Sequence, residues 1–280
     1  MVLGSTYTVI ALGFSLIYGV SRVLNYAYGS FFTWGAYIAW LLAAGMFQLG
    51  YPLVFLIVIP VMFVWGMAVE KLVIHPLRLR PGFDFNALLA TLGLALLLDN
   101  AAQALFGART KSLPTMIAGT ASFGGYVLSF HDLFVLVFSV SVVIALMLFL
   151  GRSRLGMSMV AVAQDPVGAQ IVGIPIDRVF GYAFGLSAVL AGIGGILLAP
   201  KFYISPMGGW AFLIKALIVV VLGSLGSMKG TLVSAFLLGI TENLVGLFLG
   251  LLWVMPCLLL LLLIALTFRP QGLFGQPSRR

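Results

Sequence analysis

Two carboxylates stand inside apolar runs: Asp99 in LALLLDNAAQALFG and Glu242 in LGITENLVG. An acid at the centre of a membrane helix costs about 3 kcal/mol on insertion scales, so each must face a partner, a cavity or an interface. Both are candidate sites for an ion or a polar solute. Both are equally candidates for structural pairing with a basic residue or a helix end. Asn100 and Asn243 follow directly and extend the polar surface around each acid. Enzyme chemistry is poorly provided for. His75 and His131 lie in different loops, and no HExxH, CxxC or GxSxG pattern is present. The stretch Gly223 to Gly230 fails as a nucleotide loop, because Met228 precedes Lys229 and Gly230 follows it. Cys257 is the single cysteine, which excludes a disulfide within the chain. No catalytic residue, metal site or bound cofactor is expected.

The elements that must position these residues are set by composition. Of 280 residues, 62% are apolar and 8% charged, against about 25% charged in a soluble domain. A spanning helix takes roughly 20 apolar residues, and Val23 to Val69, Leu133 to Gly151, Val179 to Pro200 and Asn243 to Phe268 contain no Asp, Glu, Lys or Arg. The net charge of +8 is spread over short clusters between these runs, which suits anchors at a membrane surface rather than a nucleic-acid face. The chain therefore reads as an all-α polytopic bundle, a single transmembrane domain over 1–280. Its first 21 residues carry no charge and read as a first span rather than a signal peptide.

Breaking the apolar runs at Gly, Pro and charge clusters gives about nine helices, over 3–20, 31–49, 52–74, 85–106, 132–151, 179–199, 211–223, 230–250 and 253–267. Basic residues cluster at Lys71, His75, Arg78 and Arg80, at Arg152, Arg154 and Arg178, and at Arg269, Arg279 and Arg280. The positive-inside rule makes these segments cytoplasmic. Helix parity then places the N-terminus outside and the C-terminus inside, with Arg109 and Lys111 in an outer loop.

Two helices read as broken. SRVLNYAYGS lies between Val20 and Phe31, and LGSLGSMKG between Val221 and Thr231. Unwound backbone survives in a membrane only where it lines a cavity or is buried in protein, and paired interruptions in the two halves point to a transport path. The candidate path residues are Asn25, Tyr26, Gly29, Ser30, Asp99, Asn100, Gly223, Ser224, Gly226, Ser227 and Glu242. Close helix packing or ordinary tight turns would account for the same glycines.

Residues 152–178, RSRLGMSMVAVAQDPVGAQIVGIPIDR, are too long for a turn and too short for a domain. Asp165 followed by Pro166 reads as an N-cap with proline at the first helical position. Gly173 suits a left-handed C-terminal cap, and Pro175 stops the helix. The result is a helix-turn-helix finger with Met157, Met159, Val160, Ile171 and Ile174 exposed and apolar. Such a finger either enters a partner's groove or lies flat on lipid headgroups.

From end to end the chain resembles the permease subunits of branched-chain amino acid ABC importers, the LivH/LivM family. The resemblance rests on LGFSLIYGVSRVLNYAYGSFFTWGAY, RSRLGMSMVAVAQDPVGAQIVGI, VLGSLGSMKGTLVSAFLLG and FRPQGLFG in that order. The length is similar to the LivH-like member of the pair. The resemblance implies an ABC importer permease fold in a bacterial inner membrane. Its partners would be a LivM-like second permease, two ATP-binding subunits that hold ATP and Mg, and an extracytoplasmic substrate-binding protein. It also implies that the segment Arg154 to Ile174 docks on an ATPase, which assigns coupling to Arg154, Gly156, Asp165, Pro166, Ala169, Ile171, Gly173 and Ile174. Leucine-like amino acids, urea, short amides and aromatic acids are all cargoes the resemblance allows. A stand-alone secondary transporter or channel, using Asp99 and Glu242 as ion sites, is the competing expectation.

Overall fold

The computed structural model describes residues 2–78, 80–123 and 126–274, and it is an all-α polytopic bundle. In chain order the helices are α1 (Val2–Ser21), α2 (Tyr28–Trp40), α3 (Tyr51–Val69), α4 (His75–Arg78), α5 (Phe83–Phe106), α6 (Phe130–Arg152), α7 (Arg154–Gln164), α8 (Pro166–Ile171), α9 (Ile176–Leu198), α10 (Gly209–Gly223), α11 (Met228–Phe248) and α12 (Val254–Phe268). A π-turn at Glu70–Ile74 joins α3 to α4 without interruption, so Tyr51–Arg78 is one 28-residue helix. Among the described residues, seven helices are long and apolar enough to cross a membrane. Two more, α2 and α10, are short.

The core is built on α1 and α9, whose apolar windows are 78% and 89% buried. Small residues let other helices approach α9 closely. A Cβ on Gly35 of α2 would stand 2.4 Å from the Cα of Gly192, and one on Gly66 of α3 would stand 2.4 Å from the carbonyl oxygen of Phe184. By contrast, α12 is only 11% buried and α5 and α6 28% each. Their outward leucines, valines and phenylalanines suit hydrocarbon or a second membrane subunit.

Each of the about nine expected helices has a counterpart among the described residues, seven of them long and apolar enough to span, with shifted ends. The helix expected over 31–49 starts at Tyr28 and closes in a π-turn at Leu41–Gly45. It starts early because the Asn25 side-chain oxygen accepts from the Ala27 amide (3.0 Å), making a turn that launches the helix. The Gly, Ser and Thr rich loop after α5 contains an antiparallel hairpin, Thr120–Phe123 with Tyr126–Ser129, which the hydropathy reading missed.

Candidate functional site

The first interruption is real and climbs through the bundle. Helix α1 ends at Ser21 and is followed by Arg22, whose φ is +59° and whose guanidinium donates to the Ala163 carbonyl in α7 (3.0 Å). Six residues later the Tyr28 hydroxyl donates to the Ile10 carbonyl (2.5 Å). Ile10 lies about 16 Å along α1 from its end, at 1.5 Å per residue. Non-helical chain and the reach of the Tyr28 side chain together bridge that depth, and the Tyr26 amide finds its partner in Thr91 Oγ1 of α5 (3.3 Å). Asn25 is 1% exposed, and its Nδ2 has no partner among the described residues.

Beyond this segment the two short helices begin side by side. A Cβ on Gly209, the first residue of α10, would stand 1.9 Å from the Gly29 carbonyl oxygen, so only glycine allows this approach. Asp99 of α5 sits against both starts and is 2% exposed. Ser30 Oγ donates to one carboxylate oxygen (2.8 Å) and Trp210 Nε1 to the other (2.6 Å). The first turn of a helix carries partial positive charge and unpaired amides, so two half-helix starts around an acid form an electrostatically matched junction. Asn100 does not join it. One residue further round α5, it is exposed and its Nδ2 donates to the Leu96 carbonyl (2.7 Å).

The second interruption lies elsewhere. Gly223 packs on Gly230, Ser224 and Gly226 have φ of +87° and +83°, and Ser227 caps α11 by accepting from the Gly230 amide (3.2 Å). These four residues form the turn from α10 to α11. Gly226 faces Gly19 near the end of α1, and Gly272 of the tail packs on Ser224. Glu242 is a third location. Its Oε1 accepts from Lys215 Nζ (2.7 Å), which also donates to the Tyr7 hydroxyl (2.9 Å). Both Lys215 and Glu242 are 9% exposed. The sequence reading overlooked Lys215, although a lone lysine in WAFLIKALIVVVLG is the kind of residue that implies an acidic partner in a membrane. The eleven candidate path residues thus divide among four places: Asn25, Tyr26, Gly29, Ser30 and Asp99 share one, Gly223, Ser224, Gly226 and Ser227 share another, and Glu242 and Asn100 each stand apart.

The finger forms two capped helices anchored to the bundle. Ser153 Oγ accepts from the Gly156 amide (2.9 Å) at the start of α7, and Asp165 Oδ1 accepts from the Val167 amide (3.1 Å) at the start of α8, with Pro166 at the first position. Gly173 ends α8 with φ of +84°, and the Ile174 amide donates to the Ala169 carbonyl (3.0 Å). The expected exposed set needs correction. Met159 is 2% exposed and faces the bundle, as do Val162 and Ala169, because α7 and α8 turn one face inward against α1, α6 and α9. Gly156 is also internal, pressed on the Phe149 carbonyl. Ile174 is half-buried. The outward crest is Val167, Ile171 and Val172, with Met157 and Val160 beside it. Arg154 stands exposed at the base.

A charge cluster fixes the root of this finger to α3. Arg78 bonds Glu70 (2.8 Å) and Asp177 (3.1 Å), and its guanidinium lies 4.2 Å from the Phe180 ring centre. Asp177 and Phe180 belong to the first turns of α9, directly after the finger. The cluster therefore ties the first turns of α9, directly after the finger, to the end of the long helix that begins with α3. Among the described residues no group of three His, Cys, Asp or Glu side chains is placed to hold a metal ion.

A bundle of spanning helices with two half-helices starting together inside it has the architecture of a membrane permease. Residues 1–267 match the family described as branched-chain amino acid transport system, permease component, and the chain belongs to that family. It is 31% identical to the high-affinity branched-chain amino acid transport system permease protein BraD of Pseudomonas aeruginosa, over 99% of this chain and 94% of that one. It is 29% identical to the corresponding permease protein LivH of Escherichia coli K12, over 99% and 93%. Identity to LivM of Escherichia coli K12 is 30%, over 95% of this chain and 67% of that one. No solved structure matches it at comparable significance.

Proposed function

We propose that this permease subunit forms half of the translocation path of an ATP-driven importer for branched-chain amino acids or related small amphipathic solutes. A LivM-like permease completes the membrane part, two cytoplasmic ATPases supply ATP hydrolysis, and an extracytoplasmic binding protein delivers cargo. The relatives named above supply the substrate class. The chain carries no engine of its own, and 152–178 is its coupling segment within one transmembrane domain. The observation that carries this reading is the finger: a capped, preformed helix pair, anchored through one face, that offers an apolar crest at Val167, Ile171 and Val172 with no cover from the rest of the described chain. An apolar helical crest of that size fits a partner groove.

The finger lies at the end of the bundle that carries Arg22, Arg78, Arg152, Arg154, Arg178 and Lys229. The positive-inside rule makes that end cytoplasmic, in a bacterial inner membrane, with the N-terminus outside. The path runs along the unwound segment at Asn25 and Tyr26 to the junction of Gly29, Ser30 and Asp99. The competing reading, a stand-alone secondary transporter, uses Asp99 and Glu242 as ion sites and so needs them free to bind an ion. Both oxygens of Asp99 and one oxygen of Glu242 already accept from internal donors, which favours the importer.

Ile171→Asp tests the docking. Ile171 is 81% exposed, so the change leaves the fold intact, while a charge in an interface hot spot costs about 2 kcal/mol, roughly 30-fold in affinity. The expected result is an unchanged melting temperature with weakened capture of the ATPase subunits and lost uptake. Unchanged capture and uptake refute the assignment. Ala169→Arg is the poorer test, because Ala169 is 4% exposed and the substitution disturbs packing as well.

A further inference from the structure

We infer that the cleft between the finger and α1 is a binding site for one anionic phospholipid, with its acyl chain inside and its phosphate at the mouth. The cleft has a volume of about 620 Å³, within the range of sites that take a drug-sized apolar molecule and far above the roughly 30 Å³ of a water. Leu16, Val20, Met147, Leu150, Met159 and Val160 form its walls. Arg22 and Lys229 stand at the rim, and none of its lining residues is acidic. Lys229 is exposed and forms no ion pair among the described residues. Arg22 spends one donor on the Ala163 carbonyl and keeps others free.

A second observation comes from inside the cleft. Ser15 lines it at 1% exposure, and its hydroxyl has no partner among the described residues. That hydroxyl is closed off by its neighbours, and the surface an acyl chain meets at this depth is apolar. The remaining walls are apolar and rich in methionine, whose unbranched side chains adapt to a flexible chain.

The charge pattern selects among occupants. A zwitterionic amino acid brings an ammonium group, for which the lining offers no carboxylate. An anionic lipid matches both the apolar interior and the basic rim, as basic clefts between membrane helices do for anionic headgroups. The lipid would brace α7 against α1 and α6, so it belongs to the membrane-embedded fold and stands whether or not the finger docks an ATPase.

The test uses the full chain purified in detergent, with native mass spectrometry after titration with phosphatidylglycerol, phosphatidylcholine or glycerol phosphate. Phosphatidylglycerol is expected to bind once per chain and to be preferred over phosphatidylcholine. Charges at a membrane surface each contribute about 1 kcal/mol, so Lys229→Gln is expected to weaken phosphatidylglycerol roughly fivefold, and Arg22→Gln with Lys229→Gln roughly thirtyfold. Ser15→Leu, which fills the cleft, should weaken both lipids. Because Lys229 is exposed, its variant keeps the fold and isolates the charge term. Equal binding of both lipids, displacement by leucine, saturation by glycerol phosphate, or indifference to Lys229→Gln would each overturn the proposal.

Discussion

Lys215→Met is expected to destabilise the bundle by about 3–5 kcal/mol, the cost of leaving one member of a buried ion pair without its partner. Lys215 and Glu242 are each 9% exposed, 2.7 Å apart, on the neighbouring helices α10 and α11. The Lys215 ammonium also donates to Tyr7 and lies 5.0 Å from that ring centre and 5.7 Å from that of Phe212. Removing it strands a carboxylate whose second oxygen already lacks a partner among the described residues. A loss of this size is a large part of the roughly 5–15 kcal/mol that holds a typical domain together. The reverse holds for removing both charges. Lys215→Met with Glu242→Leu exchanges the pair for packed apolar volume, which is often neutral or stabilising, so the double variant should recover most of the lost stability. Thermal unfolding of the purified protein in detergent reads both. If Lys215→Met melts with the parent, Glu242 has another counter-charge and the ion-site reading of that acid regains force.

This pair shows where a sequence reading stops. The spans were legible because charge-free runs of about 20 residues have one physical solution in a bilayer. The finger's caps were legible because Asp165, Pro166 and Gly173 each fit a backbone geometry that few other residues tolerate. Which faces meet was not. Glu242 reads as a lone acid until α10 is laid beside α11, and Lys215 hides in a short apolar run. Asp99 and Asn100 read as one polar patch, yet a helix turns about 100° per residue and sends them to different surroundings. Met159 reads as an exposed methionine for the same reason. The two interruptions look equivalent in composition, but the first carries non-helical backbone to the junction of α2 and α10, and the second is a tight turn at the basic end. That difference is set by tertiary packing at Gly29 and Gly209, which no local pattern encodes.

Asp99→Leu is expected to lower stability by about 3 kcal/mol and to abolish uptake. The substitution removes the acceptor of Trp210 Nε1 and the nearer acceptor of Ser30 Oγ, which keeps only the Ala95 carbonyl at 3.4 Å, and a buried donor left unpaired costs roughly 1–3 kcal/mol. It also removes the negative charge that faces the starts of α2 and α10, where the helix dipoles favour an anion. With Gly29 and Gly209 in contact, little relaxation is available to those two helices. Asp99→Asn separates the structural from the transport role. Its side-chain oxygen keeps one of the two bonds, so the melting temperature should fall by about half as much. If Asp99 only ties the junction together, uptake follows stability, and the Asn variant transports the same cargo at a moderately reduced rate. If the acid lines the path, the Asn variant folds yet changes the ratio of uptake between amino-bearing and neutral solutes. Reconstituted vesicles loaded with ATP, supplied with the binding protein and assayed with leucine against a neutral amide, measure that ratio. An Asn variant with the parent's ratio and nearly the parent's rate assigns Asp99 to the fold alone and moves the path to the unwound segment at Asn25 and Tyr26.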